Sequence, residues 1–482
     1  MKFSPFREAP VADQAFVHHY DTRVLLREFE RSYPLIVRGA GVWLYDAAGT
    51  AYLDGVGGGA MVTSLGYGIP ELVEAAAEQA RAVSYVYNQQ FTTPAQEKLA
   101  DDLMAVAPGF SRVHFVSGGS EANEMAIRLA RAYHVERGEP ERWRVVSPAQ
   151  AYHGPTALTL ALTGRPHLQR PFDPYLVPQP HVPPATWRLD PSGETALAAL
   201  DQVIEEVGPE TVSAFFCEPI SAAALPAYSP PERFWRGLEE RRERYGFLVC
   251  FDEIVTGIGR AGAWFAADRL PIEPDVITTA KGLGAGYAAV GAVHCREPIV
   301  QAIGDGSRSF EHGHTWDGAP LPCAVGSAVL AYLKKHGLVE RVRERGPRLR
   351  DELEAALAGC ELVREVRGAG FLLGVEYVDP RDGESLLPAE LGVARRIDNE
   401  ALQLGLTVYS TQPTADGFAG DQSLLAPAFV MGEDELGQLV ERMASAVRTV
   451  EQQVKRELSA VVSAREIQPA DERSTAAPHP GP

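Results

Sequence analysis

A single lysine, Lys281, stands where an apolar run, VITTA (276–280), meets the glycine-rich turn GLGAG (282–286). The run reads as a short buried strand, and the glycines open the chain directly after it. An ammonium at the end of a buried strand is partly desolvated. Its pKa falls, and the neutral amine becomes available for Schiff-base chemistry. A strand-end lysine taken alone more often reaches out to water, so the reading needs company. Upstream, in FDEIVTGIGRAG (251–262), Asp252 closes another apolar run, LVCF. A third element is SGGSE (117–121), set between a strand and a helix start. Its two glycines let backbone amides approach a phosphate, and the helix N-terminus adds positive potential. Gly119 and Ser120 are the candidate cradle, against the plainer reading of an ordinary turn with Ser120 as N-cap. The stretch is not a P-loop, since no GK[ST] follows, and GLGAG lacks the spacing of a dinucleotide fingerprint.

A lysine and an aspartate on neighbouring strand ends suit pyridoxal 5'-phosphate (PLP). The lysine holds the aldehyde, and the carboxylate keeps the pyridine nitrogen protonated. Seven motifs then occur in order: FVSGGSEANEMAIRLAR (115–131), AYHG (151–154), FFCEP (215–219), FDEIVTGIGRAG (251–262), TTAKGLGAGY (278–287), FEHGHTWDGAPLPC (310–323) and VRGAGFLLGVE (366–376). With them the chain resembles the class III aminotransferases, fold-type I PLP enzymes, from about Tyr33 to about Glu451.

The resemblance implies an α/β fold. A large domain (61–330) would surround a mostly parallel, seven-stranded sheet. A smaller α+β domain would be formed by the N-terminal segment (1–60) and residues 331–460, followed by a disordered tail (461–482). It makes Lys281 the catalytic residue. Tyr152 would stack on the cofactor ring, with Ile254 against the opposite face, two residues after Asp252 in a strand. Glu218 would lie close to the cofactor and pair with a mobile arginine or the substrate. Val255 occupies the position where the family often has a glutamine that reaches the cofactor, and it cannot donate. Thr315 resembles the threonine that reaches the phosphate of the partner subunit's cofactor, which implies a homodimer with shared sites, or a tetramer. Ala60, Met61 and Tyr87 fall where relatives line the substrate pocket; for Met61 core filling is the competing reading.

The implied reaction is transamination. An amino group would pass by a ping-pong mechanism from a primary amine or ω-amino acid to a keto acid, pyruvate or 2-oxoglutarate, with pyridoxamine 5'-phosphate as the intermediate cofactor form. Other PLP reactions share the fold (aminomutase, amino-acid racemase, decarboxylating transaminase), and a non-catalytic scaffold is the reading from another class. One departure concerns substrate. Several relatives carry a carboxylate-gripping arginine in the C-terminal loop, and Leu424 stands in its place. No arginine occurs between Arg396 and Arg442. An acceptor carboxylate must be held elsewhere or by a residue of the partner chain, which favours a more apolar pocket and makes a carboxylate-free amine a plausible donor. A metal site from Glu311, His312 and His314 is the rival reading of EHGH, disfavoured because no further cluster completes a shell. No metal is expected.

The elements that must position these residues follow from pattern and composition. The 482 residues are enough for two domains around a large core. A net charge of −19 disfavours nucleic acid. No apolar run reaches transmembrane length, and the N-terminus lacks an apolar signal core, so a cytoplasmic protein is expected. The five cysteines form no CxxC pair and read as reduced thiols. From residue 112, apolar strands alternate with helices, the pattern of a parallel sheet covered on both faces. PLIVRGAGVWLYDAAGTAYLDG reads as a small antiparallel meander, and HHYDTRVLLREFER as helical near its end. The proline-rich stretch 163–196 is expected to be an ordered insertion over the sheet or a flexible flap.

Overall fold

The structure is a computed structural model, and it describes residues 16–186, 188–411 and 419–466. Its centre is a seven-stranded sheet. In spatial order the strands are Arg112–Val116, Gly291–Cys295, Val276–Thr279, Leu248–Asp252, Val212–Cys217, Arg144–Pro148 and His181–Val182. Gly291–Cys295 runs antiparallel to both neighbours, and the other pairs are parallel. The central strands are buried along their whole length, which is why they read as unbroken apolar runs.

Side chains alternate between two packed faces. Ala214 and Phe216 join Met125, Ala126 and Leu129 of the helix Gly119–Glu136. Phe215 and Cys217 face Leu197, Leu200, Trp235 and Leu238, from the helices Glu194–Val207 and Glu232–Tyr245. This period of two puts a helical layer on each side of the sheet.

The meander is formed by Ile36–Ala40, Trp43–Asp46 and Ala51–Asp54. Leu406–Thr407 adds to it in parallel, with Leu406 opposite Leu53, so N- and C-terminal segments share one sheet. A second four-stranded sheet, antiparallel throughout, contains Val363–Ala369, Leu372–Tyr377, Gln422–Leu425 and Tyr409–Thr411. After the meander, Gly57, Gly58 and Gly59 have φ of 60°, 75° and 87°, a tight turn that only glycines take without strain. Asp54 pins this turn by accepting from Gly58 N (2.7 Å), Thr63 Oγ1 (3.0 Å) and Tyr67 Oη (2.8 Å).

Three expectations change. The 18–31 segment is not a helix beyond the short 3₁₀ turn His19–Asp21, and Phe16–His18 pairs instead with Ser32–Pro34. Val24 and Leu25 are 63% and 81% exposed, so a helix there has no apolar face to bury. Within 163–196 lie the short helix Pro166–Gln169, the 3₁₀ segment Arg170–Tyr175 and the seventh strand of the sheet, His181–Val182, so part of the stretch belongs to the sheet itself. The closing helix, Glu433–Glu466, continues past residue 460, because no glycine or proline interrupts AVVSARE. The remainder of the expected tail lies outside the described residues. All five cysteines are buried and unpaired, and no described helix is long and apolar enough to cross a membrane.

Candidate active site

The carboxyl ends of adjacent parallel strands open onto one cavity of about 300 Å³, the usual place for a site in an open α/β sheet. Lys281, Asp252 and Glu218 follow or close three neighbouring strands, and Tyr152 follows a fourth. Thr278 lies opposite Asp252 in the parallel register, so the next turn brings Lys281 over the aspartate's end of the sheet. Lys281 has φ of +39°. A left-handed conformation at a side chain of this size costs roughly 1–2 kcal/mol. Burial lowers the pKa of the Lys281 amine, and the charges of Asp252 and Glu218 offset part of that shift.

Asp252 is 4% exposed and almost fully hydrogen-bonded. One carboxylate oxygen accepts from Asn123 Nδ2 and faces His153 Nδ1, both at 2.8 Å, and the other accepts from Ile254 N at 3.1 Å. Asn123 is oriented in turn, donating to the His153 carbonyl (2.8 Å) and accepting from Thr278 Oγ1 (2.7 Å). The far ring nitrogen of His153, Nε2, is buried without a partner. A carboxylate held this way stays aimed along one direction.

Opposite stands the start of the helix Gly119–Glu136, whose N-cap, Gly118, is extended and carries no side-chain cap. No side chain among the described residues caps its first-turn amides. A Cβ on Gly119 would lie 2.7 Å from Ile254 Cδ1, and one on Gly154 would lie 2.5 Å from Ser120 Oγ. The Ile254, Ser120 and Thr159 side chains already fill the space beside these glycines, so no further side-chain bulk fits at either position. Glu218 accepts from Ala222 N (3.1 Å), Ser221 Oγ (3.3 Å) and Tyr152 N (3.4 Å). Burial pushes its carboxyl up to about 7; the Asp252 charge adds to this, and His153 works against it.

The sequence model of the family "Aminotransferase class-III" matches residues 28–447. The chain belongs to the class III aminotransferases. It is 32% identical to the uncharacterized aminotransferase YodT of Bacillus subtilis (strain 168), over 89% of this chain and 98% of that one. It is also 32% identical to the mitochondrial gamma-aminobutyrate transaminase 1 of Oryza sativa subsp. japonica, over 88% and 83%. Among solved structures, the omega transaminase from Pseudomonas jessenii in complex with PMP superposes with a TM-score of 0.82 at 29% identity, covering 88% of this chain and 94% of that one.

In this aminotransferase, Gly119, Ser120, Tyr152, Glu218, Asp252, Ile254, Val255 and Lys281 all line the one cavity. Ile254 reaches it from a turn, since the strand ends at Asp252. Other expected residues stand apart from it. Thr315 is exposed, and its carbonyl accepts from Tyr85 Oη at 2.9 Å. Tyr87 is 41% exposed, and Ala60 is exposed as well. Met61 packs with Val56, Ile220 and Leu424, the core-filling alternative, and Val62 takes the place at the cavity wall.

Glu311 and His312 do not converge with His314 on a metal site. Glu121, His314 and Asp317 instead bring ligand-type atoms within 4.8 Å of one another. The Asp317 carboxylate there already accepts from His314 N (2.7 Å) and contacts His114 Nε2 (2.9 Å) and His314 Nδ1 (3.2 Å). Two residues of the Asp252 network, His153 and Asn123, escaped the sequence reading. The signals were a histidine next to Tyr152 and a buried asparagine near the start of the helix Gly119–Glu136.

Proposed function

We propose that this aminotransferase binds PLP in the Lys281 cavity and moves an amino group from a primary amine or ω-amino acid to a keto acid, pyruvate or 2-oxoglutarate, by a ping-pong mechanism. The observation that carries the reading is one cavity with a desolvated lysine amine, a buried anchored carboxylate and an uncapped helix N-terminus around it. These residues fit the cofactor. The amides of Gly119 and Ser120 would hold its phosphate, Asp252 its ring nitrogen, Tyr152 and Ile254 its ring faces, and Lys281 its aldehyde carbon. Once bound, the group supplies an electron sink for the carbanion left when the donor loses its α-proton.

The chain's own part is positional and acid–base. Nζ of Lys281, freed when the donor amine takes its place, removes the α-proton and later returns one. Asn123 and His153 hold Asp252 in place while this happens. Glu218, held by Ala222 N, Ser221 Oγ and Tyr152 N, places a carboxyl whose pKa burial raises beside Lys281 and Asp252.

A homodimer completes the proposal. Tyr85 and Trp316, in contact with each other beside Thr315, are 37% and 57% exposed, and Tyr87 and Phe91 of the following loop are 41% and 60% exposed, aromatic side chains suited to a second copy of the chain. Sedimentation as a monomer at micromolar concentration would contradict it.

The test is a visible absorption spectrum of the protein with PLP, before and after a panel of donors without acceptor, an alkyl amine and ornithine among them. Loss of the lysine-bound band with one donor, and its return with pyruvate or 2-oxoglutarate, is the expected result. A band that no donor removes would overturn the transaminase mechanism proposed here. Gly119→Ala probes the cradle. Its methyl displaces Ile254 or the helix start at a cost of about 1–3 kcal/mol, so the apoprotein is expected to melt a few degrees lower and, with the first-turn amides shifted, the Kd for PLP to rise by about tenfold or more in a fluorescence titration.

A further inference from the structure

We propose that Arg165 is the carboxylate-binding residue of the substrate pocket, gripping the acceptor keto acid and any donor amino acid through its guanidinium. The inference rests on the transaminase reading and assigns a group that the C-terminal loop does not supply. Leu424, where relatives place an arginine, is fully buried among Met61, Val56 and Ile220.

Arg165 is 9% exposed and precedes the short helix Pro166–Gln169. Its Nη1 makes one long hydrogen bond, 3.4 Å, to the carbonyl of Ala223, a residue of the cavity wall. Its Nε is buried without a partner. The phenol of Tyr409 lies against the same guanidinium and within electrostatic reach of Tyr152 and Glu218. No carboxylate forms an ion pair with Arg165 among the described residues.

The other two buried arginines among the described residues have stronger contacts, although each also leaves one Nη buried without a partner and Arg260 has no ion pair. Arg345 pairs with Glu352 and Glu433, both at 2.8 Å. Arg260 donates to the carbonyls of Phe371 (3.1 Å) and Pro427 (2.5 Å) and lies over the Phe429 ring. A buried guanidinium without an anion is expensive to keep. An incoming carboxylate repairs that deficit by a paired, charge-assisted contact, and Tyr409 offers a hydroxyl beside it. When the pocket holds a carboxylate-free amine, the arginine keeps its contacts with Ala223 and Tyr409 and stays within the wall. One pocket then accepts both substrates without a moving arginine in the C-terminal loop.

The experiment separates the two half-reactions in the PLP-loaded protein and adds a binding measurement on the same preparation. For Arg165→Met, the half-saturating pyruvate concentration in the return half-reaction is expected to rise about 10²-fold. The effect on the forward half-reaction with propylamine is expected to be at least tenfold smaller, and Arg165→Lys recovers part of the pyruvate loss. Calorimetric titration with propionate, which cannot react, is expected to show binding to the wild type and its loss in Arg165→Met. Unchanged pyruvate saturation and propionate binding in Arg165→Met would overturn the assignment. So would equal losses in both half-reactions with a lower melting temperature, the mark of a structural arginine. If the wild type performs neither half-reaction, the transaminase reading fails, and the propionate titration still decides whether Arg165 is an anion site.

Discussion

Replacing Lys281 by alanine is expected to lower turnover by on the order of 10⁴-fold or more, the largest effect of any substitution in this chain. The reason is geometric. Lys281 is the only lysine on the cavity wall among the described residues, held in a left-handed conformation three residues past the point where Thr278 faces Asp252. No other amine there can capture the aldehyde or move the α-proton. PLP is expected to remain bound through Gly119, Ser120, Tyr152 and Asp252, with the spectrum of the free aldehyde in place of the lysine-bound one. Added methylamine restores part of the activity if a missing amine is the whole defect. In the wild type, the rate at which the apoprotein takes up PLP reports the same amine. Burial lowers its pKa, so the neutral, nucleophilic form appears at lower pH than for a free lysine. Uptake should therefore rise with pH through a midpoint below about 10.4. A variant that keeps more than a tenth of wild-type turnover would remove Lys281 from the mechanism.

The parts of this architecture that a reader can take from the sequence are those set by local chemistry and period. LVCFD, VITT and VSAFFC announce buried parallel strands because both faces of the sheet are covered, and the turn glycines after Lys281 and before Asn123 mark where the chain must approach itself. Once those strands are parallel and adjacent, their carboxyl ends must lie together, so Lys281, Asp252 and Glu218 fall into one cavity. Pairings made in three dimensions are hidden. His153 reaches Asp252 across 99 positions and Asn123 across 129, and no spacing rule connects them. The two-residue strand His181–Val182 carries too little pattern to stand out among prolines. Tyr87, expected at the pocket, lies on the outer surface of the single chain, as does Thr315, whose expected place is at the partner subunit's cofactor. Arg165 carries no signal of its own in LTGRPHL, and its interest comes from what surrounds it after folding.

Asp252→Asn is the second substitution with a large expected effect, and it tests the electrostatic half of the site without changing its shape. The side chain keeps its volume and loses its charge. A neutral amide no longer holds a proton on the ring nitrogen, and the electron sink weakens. Loss of one preorganised charge contact of this kind lowers the chemical step by about 10²–10³-fold. The surroundings sharpen the expectation. In the native site one carboxylate oxygen meets Asn123 Nδ2 and His153 Nδ1, while the other accepts from Ile254 N. An asparagine offers a single acceptor oxygen. If that oxygen faces Asn123 and His153, its NH₂ is turned against the Ile254 N–H; if it is flipped, the NH₂ meets the Asn123 NH₂. Either arrangement leaves a buried donor unsatisfied, at a cost of about 1–3 kcal/mol in stability. Thermal unfolding of the apoprotein measures that cost, and single-turnover loss of the lysine-bound absorbance with an amine measures the chemistry. A fall in stability with the half-reaction within tenfold of wild type would make Asp252 a purely structural carboxylate. A slow half-reaction in a protein that melts within a few degrees of wild type would place it in the chemistry. Changing His153 to glutamine gives the intermediate case: Asp252 keeps its charge and loses one support, so the half-reaction should slow by far less than in Asp252→Asn.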